Sequence, residues 1–306
     1  MKSRMGWALV ALLSVWASFA QAAGEKQRKL TLGVFLPTTM TDGQERFRFA
    51  EKLAAGLGAA LGEPVVGRSF GRYEDFAKAA SDGSLDLAVV DGWAAAASTA
   101  KLEPIALGAV QGETHPRWAV VSTGRGLVKD LRGKRLAIIK GAGPSDAKFV
   151  THAVFAGDLE AQKHFGKLVT VPSVESALKV LEVKSAEAVL IPALHAPKDA
   201  QVLFRSNRLL GAVVVSLRGN RADEFKTALR SLGAVEPFEK FSDASADDVA
   251  DFRKLIQNGP PKRQPAMAES PGHKLDTNLL VSPKEIGPRL PSFVESMEIS
   301  KEQPDD

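Results

Sequence analysis

The feature that most constrains the fold is the stretch over residues 128–149, VKDLRGKRLAIIKGAGPSDAKF. A polar turn carrying Gly133 leads into an unbroken apolar run, Leu136 to Ile139. A Gly-rich loop then opens a helical pattern. A strand that feeds a glycine loop and a helix start belongs to a parallel β/α layer. Such a loop presents unpaired N–H groups and the positive end of a helix dipole, which together suit an anion or carboxylate. Gly141 and Gly143 permit close backbone approach, and Ser145 offers a hydroxyl. The same pattern also fits an ordinary strand-to-helix connection in which Ser145 or Asp146 caps the helix.

The alternation extends on both sides. Residues 29–36 read as a first strand ending at Pro37-Thr38-Thr39, and 42–61 as a helix closed by Gly62 and Pro64. A second strand (64–70), a short helix (73–80) and a buried strand (85–90) follow. Asp91-Gly92-Trp93 then enters an Ala-rich helix. Strands over 102–110 and 118–122 have no helix between them. After them a second β/α series runs through 135–139, a helix over 144–155, a strand at 168–171, a helix over 174–183, and strands at 186–191 and 201–204. A strand at 211–217 and helices over 222–232 and 246–256 close the pattern, with Ser245 as an N-cap. The predicted architecture is α/β. It has two lobes built on mixed, mostly parallel sheets with flanking helices and a central cleft: residues 23–117 with 209–258, and 118–208.

The ends differ in character. Lys2 and Arg4 precede an apolar core over residues 7–17, and Ala20-Gln21-Ala22 fits small-x-small cleavage. Residues 1–22 therefore read as a signal peptide. Its core is too short for a bilayer span, and no later run reaches about 20 apolar residues. Leader removal leaves 38 basic against 36 acidic residues. That balance offers nothing to a nucleic acid. The chain has no cysteine, which excludes thiolate catalysis, thiolate metal sites and a lipid-modified N-terminal Cys. Residues 259–306 are rich in proline and lack periodicity, which reads as an extended or disordered tail open to partner contact.

At this level the chain resembles the phosphate/phosphite/phosphonate-binding family of periplasmic solute-binding proteins of ABC importers. The residues that carry the resemblance are KLTLGVFLPTT at the first strand, YEDFAKAASDGSLDLAVVDGW over 73–93, and the strand and DLRGK turn over 118–139. VESALKVL and AEAVLI follow over 174–191. The resemblance spans residues 29–235. It implies a periplasmic, monomeric receptor that binds a small anionic or zwitterionic ligand and delivers it to an ABC permease in the inner membrane.

Three loops depart from that family. Its hydroxyl-rich loop is replaced here by Lys140-Gly141-Ala142-Gly143-Pro144-Ser145. Its Ser-His pair is replaced by Pro172-Ser173-Val174-Glu175, and an acidic residue by Pro192-Ala193-Leu194-His195.

The candidate ligand contacts are Thr38, Thr39, Tyr73, Asp91, Trp93, Gly141, Gly143, Ser145 and Ser173. Asp91 and Ser173 fit helix caps equally well, and Trp93 and Tyr73 fit packed rings. The five histidines have no metal-ligand spacing. No nucleophile elbow, P-loop or dinucleotide fingerprint is present, so neither an enzyme nor a cofactor is expected. A non-transporting accessory or sensory protein on the same fold is the alternative.

Overall fold

The computed structural model describes residues 29–40 and 42–261. The leader and, beyond residue 261, the proline-rich tail read from the sequence lie outside the described residues. Among the described residues, eleven strands form two mixed sheets.

In the first sheet β1 (Leu30–Phe35) pairs in parallel with β2 (Val65–Ser69) and β3 (Leu87–Asp91). β10 (Ala212–Ser216) runs antiparallel between β3 and β4 (Glu103–Ala109). β11 (Lys240–Asp243) adds an antiparallel edge to β4. β3 and β10 are buried along their whole length, which is why both read as continuous apolar runs.

Helix α1 (Gly43–Leu61) starts at Asp42, whose carboxylate accepts the Glu45 N–H at 2.8 Å, and ends at left-handed Gly62. Its Phe49, Leu53 and Leu57 recur at helical spacing and are buried against this sheet. Helices α2 (Tyr73–Ser81) and α3 (Gly92–Ala97) lead into and out of β3. Helix α3 is shorter at its C-terminal end than the Ala-rich pattern suggests.

The second sheet has the order β7-β6-β8-β5-β9. β6 (Arg135–Ile139) lies parallel to β7 (Lys167–Val171) and β8 (Ala188–Pro192), and β5 (Arg117–Ser122) is antiparallel to β8 and β9 (Gln201–Arg208). The polar turn before β6 is closed by left-handed Gly133, which donates to the His164 carbonyl at 2.8 Å. β9 runs on to Arg208 instead of stopping near residue 204. Its outer half alternates exposed arginines with buried Ser206, a pattern too polar to read as strand.

The single helix predicted over 144–155 is instead a 3-10 turn (Gly143–Ser145), one α-helical turn, α4 (Asp146–Lys148), and a π-helical segment (Phe149–Val154). The chain continues through α5 (Ala161–His164) and α6 (Val174–Glu182), and later through α7 (Ala222–Ser231). α8 (Ala246–Asn258) starts at a Ser245 cap. β11 was missed in the sequence because it is a four-residue, half-exposed edge held by main-chain bonds.

Two connections join the sheets, after β4 and before β10, and they run side by side. Leu209 N–H donates to the Pro116 carbonyl and Gly211 N–H to that of Thr114, both at 3.0 Å. A continuous apolar cluster passes between the lobes and includes Trp93, Trp118, Phe149 and Phe252.

Candidate functional site

Because β1 and β3 are parallel neighbours, their C-terminal ends share one sheet edge, with Phe35 opposite Val90. Parallel sheets present ligands at such an edge. The chain leaves β1 through a turn in which Met40 N–H donates back to the Leu36 carbonyl at 3.1 Å. That turn places Thr38 and Thr39 over the last residue of β3. Asp91 accepts the Thr38 N–H on Oδ2 and the Thr39 hydroxyl on Oδ1, each at 2.8 Å. Asp91 occupies the N-cap position of α3 without donating its side chain to that role.

At 4 % exposed, Asp91 is a buried carboxylate. Burial pushes its pKa above the usual range, against the threonine donors and the charge of Arg46. Arg46 is itself buried on α1, its Nε and Nη1 without partners. Burial lowers its pKa while Asp91 favours its charge.

The opposite wall comes from the second lobe. Phe149 stacks on Trp93 with centroids 4.2 Å apart and planes 8° from parallel. Trp118 stands edge-on to both rings, at 6.1 Å from Trp93 and 5.0 Å from Phe149. Gly141 makes this possible, since a Cβ there would lie 2.6 Å from the Trp93 ring. The Trp93 Nε1–H is buried and unpartnered. His195, just past β8, faces the first lobe. Burial lowers its pKa, while the backbone of Thr38 and Thr39 favours its charged form. Lys140 Nζ bridges to Glu74 Oε1 at 2.8 Å on the rim, holding the second lobe to α2.

The enclosed space bounded by Thr38, Thr39, Asp91, Trp93, Trp118 and Phe149 is about 30 Å³. That is room for one or two water-sized groups, well short of the ~300 Å³ or more of an open small-molecule pocket.

The structure brings Thr38, Thr39, Asp91 and Trp93 to one cavity, with Gly141 behind the indole. Tyr73, Gly143, Ser145 and Ser173 do not line that cavity. Tyr73 packs at 6.0 Å from Phe35. Ser173 caps α6, accepting the Ser176 N–H at 3.2 Å. Gly143 supplies a left-handed turn with φ 68°, and Ser145 makes no capping bond.

The loop's polar partner is Asp146. Its Oδ1 accepts the Ala142 N–H at 2.8 Å, and the Gly141 amide also favours its ionised form. Burial nevertheless raises its pKa to about 6. An Asp two residues after a proline at a helix start was the available signal, and it reads as an ordinary cap. Phe149 and Trp118 were visible only as apolar positions of their own elements.

Among the described residues no helix is long and apolar enough to cross a membrane, and no cluster of side chains has the makings of a metal site.

No protein-family model and no curated protein matches the sequence. Likeness is found among solved structures. A binding protein component of an ABC phosphonate transporter from Pseudomonas aeruginosa superposes with a TM-score of 0.61 at 15% identity, over 75% of this chain and 86% of that one. PhnD1 from Prochlorococcus marinus, in complex with methylphosphonate, gives 0.59 at 13%, over 75% and 97%. XAC2383 from Xanthomonas citri bound to ATP gives 0.58 at 11%, over 74% and 96%. These identities carry the fold alone. The chain has the two-lobed α/β fold of these structures.

Proposed function

We propose that this protein is an exported, periplasmic solute-binding protein. In this reading it captures one small anionic or zwitterionic solute between its lobes and delivers it to an ABC permease, as a monomer and without catalysing a reaction. The observation that carries the reading is the cavity at Asp91. Its walls come from both lobes, so a solute seated there touches both and biases the hinge between open and closed states. Asp91 is held by Thr38 and Thr39 and not by a base or nucleophile, an arrangement suited to binding.

Thermal unfolding of the full chain against phosphate, phosphite, phosphonates and amino acids tests this. A true ligand at about a thousand times its Kd stabilises by about 4 kcal/mol. A library in which nothing shifts the transition removes the proposal.

One observation favours a second reading, a non-transporting sensory or accessory protein. The cleft is filled by the protein's own rings. Each buried aromatic removes roughly 150–250 Å² from water, worth several kcal/mol at about 25 cal/mol per Å², and stacking adds about 0.5–1.5 kcal/mol. The closed state is further strapped by α8. Phe252 packs on Phe149 at 6.3 Å, the Ile256 carbonyl meets His152 Nδ1 at 2.7 Å, and Arg253 Nε donates to the Ala96 carbonyl at 2.8 Å. Small-angle scattering separates the two readings. A transporter's receptor is open without solute and contracts with it; a permanently closed sensor has the same radius of gyration in both conditions.

A further inference from the structure

The charges and amides around this cleft are arranged against a phosphoryl group. In the second lobe the loop that could cradle one is already occupied. Asp146 takes the Ala142 amide, Lys140 N–H donates to the Val171 carbonyl, and Asp146 N–H donates to the Gly143 carbonyl. Pro144 has no N–H. An anion arriving here would displace a buried carboxylate from its own donors and sit beside its charge.

In the first lobe the cavity wall carries two carboxylates, Asp91 and Glu113, the latter paired with Arg208 at 2.9 Å, and no Lys, Arg or His lines it. Among the described residues no cation lies within ion-pairing distance of Asp91. Its donors are all neutral groups of Thr38 and Thr39, fewer than the roughly four hydrogen bonds that a carboxylate can accept. Buried Arg46 acts on Asp91 only from beyond ion-pairing distance; a buried carboxylate with no cation in contact is costly, and a ligand cation seated on it would relieve that cost. The space beside it suits an ammonium group, which is about the size of a water, and not a five-heavy-atom phosphonate.

Outward from this cavity, sharing Glu113 and Leu194 as wall, lies a second space of about 270 Å³ that carries Arg117 and Arg205. Both arginines are exposed on neighbouring strands β5 and β9 of the second sheet, and Arg117 Nη1 donates to the Ser206 carbonyl at 2.9 Å.

Resting on the receptor reading above, we propose that the solute is a small zwitterion bound amine-first. Its ammonium sits on Asp91 against Trp93 and Trp118, its chain passes Leu194, and its acidic end meets Arg117 and Arg205. This inverts the polarity of an anion-cradling site: the charged head buried in the cleft is the cation, and the anion stays at the mouth.

The test is calorimetry and thermal unfolding of the full chain with matched probes: 5-aminopentanoate, pentylamine, pentanoate and methylphosphonate. The zwitterion should bind most tightly, pentylamine about tenfold more weakly, and the two anions not measurably. Asp91→Asn should weaken 5-aminopentanoate at least about tenfold, the scale of one charge-assisted contact of about 1.4 kcal/mol or more. Arg205→Ala, at an exposed position, should bring 5-aminopentanoate down to the level of pentylamine. It decides the matter independently if the Asp91 variant folds poorly. Unchanged 5-aminopentanoate binding in either folded variant overturns the proposal. Methylphosphonate binding better than the amines overturns it too, but leaves the receptor reading standing. Absence of binding by these probes and by the wider solute library removes both.

Discussion

Replacing Asp146 by Asn should change how stability depends on pH more than it changes stability at any one pH. The Asn carbonyl can still accept the Ala142 N–H that the carboxylate now takes at 2.8 Å, so the loop keeps its main bond. What disappears is a titration. Asp146 has a pKa of about 6 in the fold against about 3.8 for a free aspartate, because burial outweighs its backbone donors and the charge of Lys140. A raised carboxyl pKa means the folded state binds the proton more tightly than the unfolded chain. This group therefore favours the fold increasingly as pH falls from above 6 towards 4, and the benefit is gone above about 7. A difference of about 2.2 units corresponds to about 3 kcal/mol at its limit. Between pH 7.5 and 4.5 the linkage relation leaves about 2 kcal/mol of it. Other carboxylates titrate in the same range, so the quantity to measure is the difference between wild type and Asp146→Asn. Urea unfolding of both proteins at each pH supplies it. The wild type should gain about 2 kcal/mol relative to the variant on going from pH 7.5 to 4.5. A difference constant to within about 0.5 kcal/mol would refute the burial of this carboxylate and the closure of its loop.

Three further outcomes follow from the interlobe packing. Gly141→Ala puts a methyl 2.6 Å from the Trp93 ring, so it should destabilise by about 1–3 kcal/mol in urea unfolding and alter tryptophan emission. Phe149→Ala removes the ring stacked on Trp93 and should cost about 3–5 kcal/mol, with a larger radius of gyration in scattering if the ring holds the lobes together. Lys140→Ala breaks a half-exposed bridge to Glu74; it should cost no more than about 1 kcal/mol, an effect that shrinks as salt is raised during thermal unfolding.

The elements most legible in the sequence are those whose cause is local. The turn and strand of β6 follow from Gly133 and an apolar run, and the starts of α1, α6 and α8 follow from Asp42, Ser173 and Ser245. The contact of Asp91 with Thr38 and Thr39 spans more than fifty residues and exists because β1 and β3 are adjacent; the adjacency is a property of the sheet. Phe149 and Trp118 carry no mark distinguishing a ring that crosses between lobes from one that packs within its own layer. Asp146 misleads for a different reason. Its position is that of a helix cap, whereas its carboxylate turns back to the loop, which accompanies the break of the predicted helix into 3-10, α and π turns. The anion site inferred from glycine spacing therefore depends on a side chain whose direction the spacing does not encode.

The four tryptophans are Trp7, Trp16, Trp93 and Trp118. A chain beginning at Ala23 retains only the two at the cleft, so its tryptophan emission, excited selectively, comes from that cleft alone. Titrating this form with the solute library, while following emission, tests capture between the lobes most directly. The account predicts a saturable change in emission for a solute that also raises the unfolding temperature, lost in Asp91→Asn. A solute that stabilises the protein with no change in tryptophan emission would place binding elsewhere and contradict it.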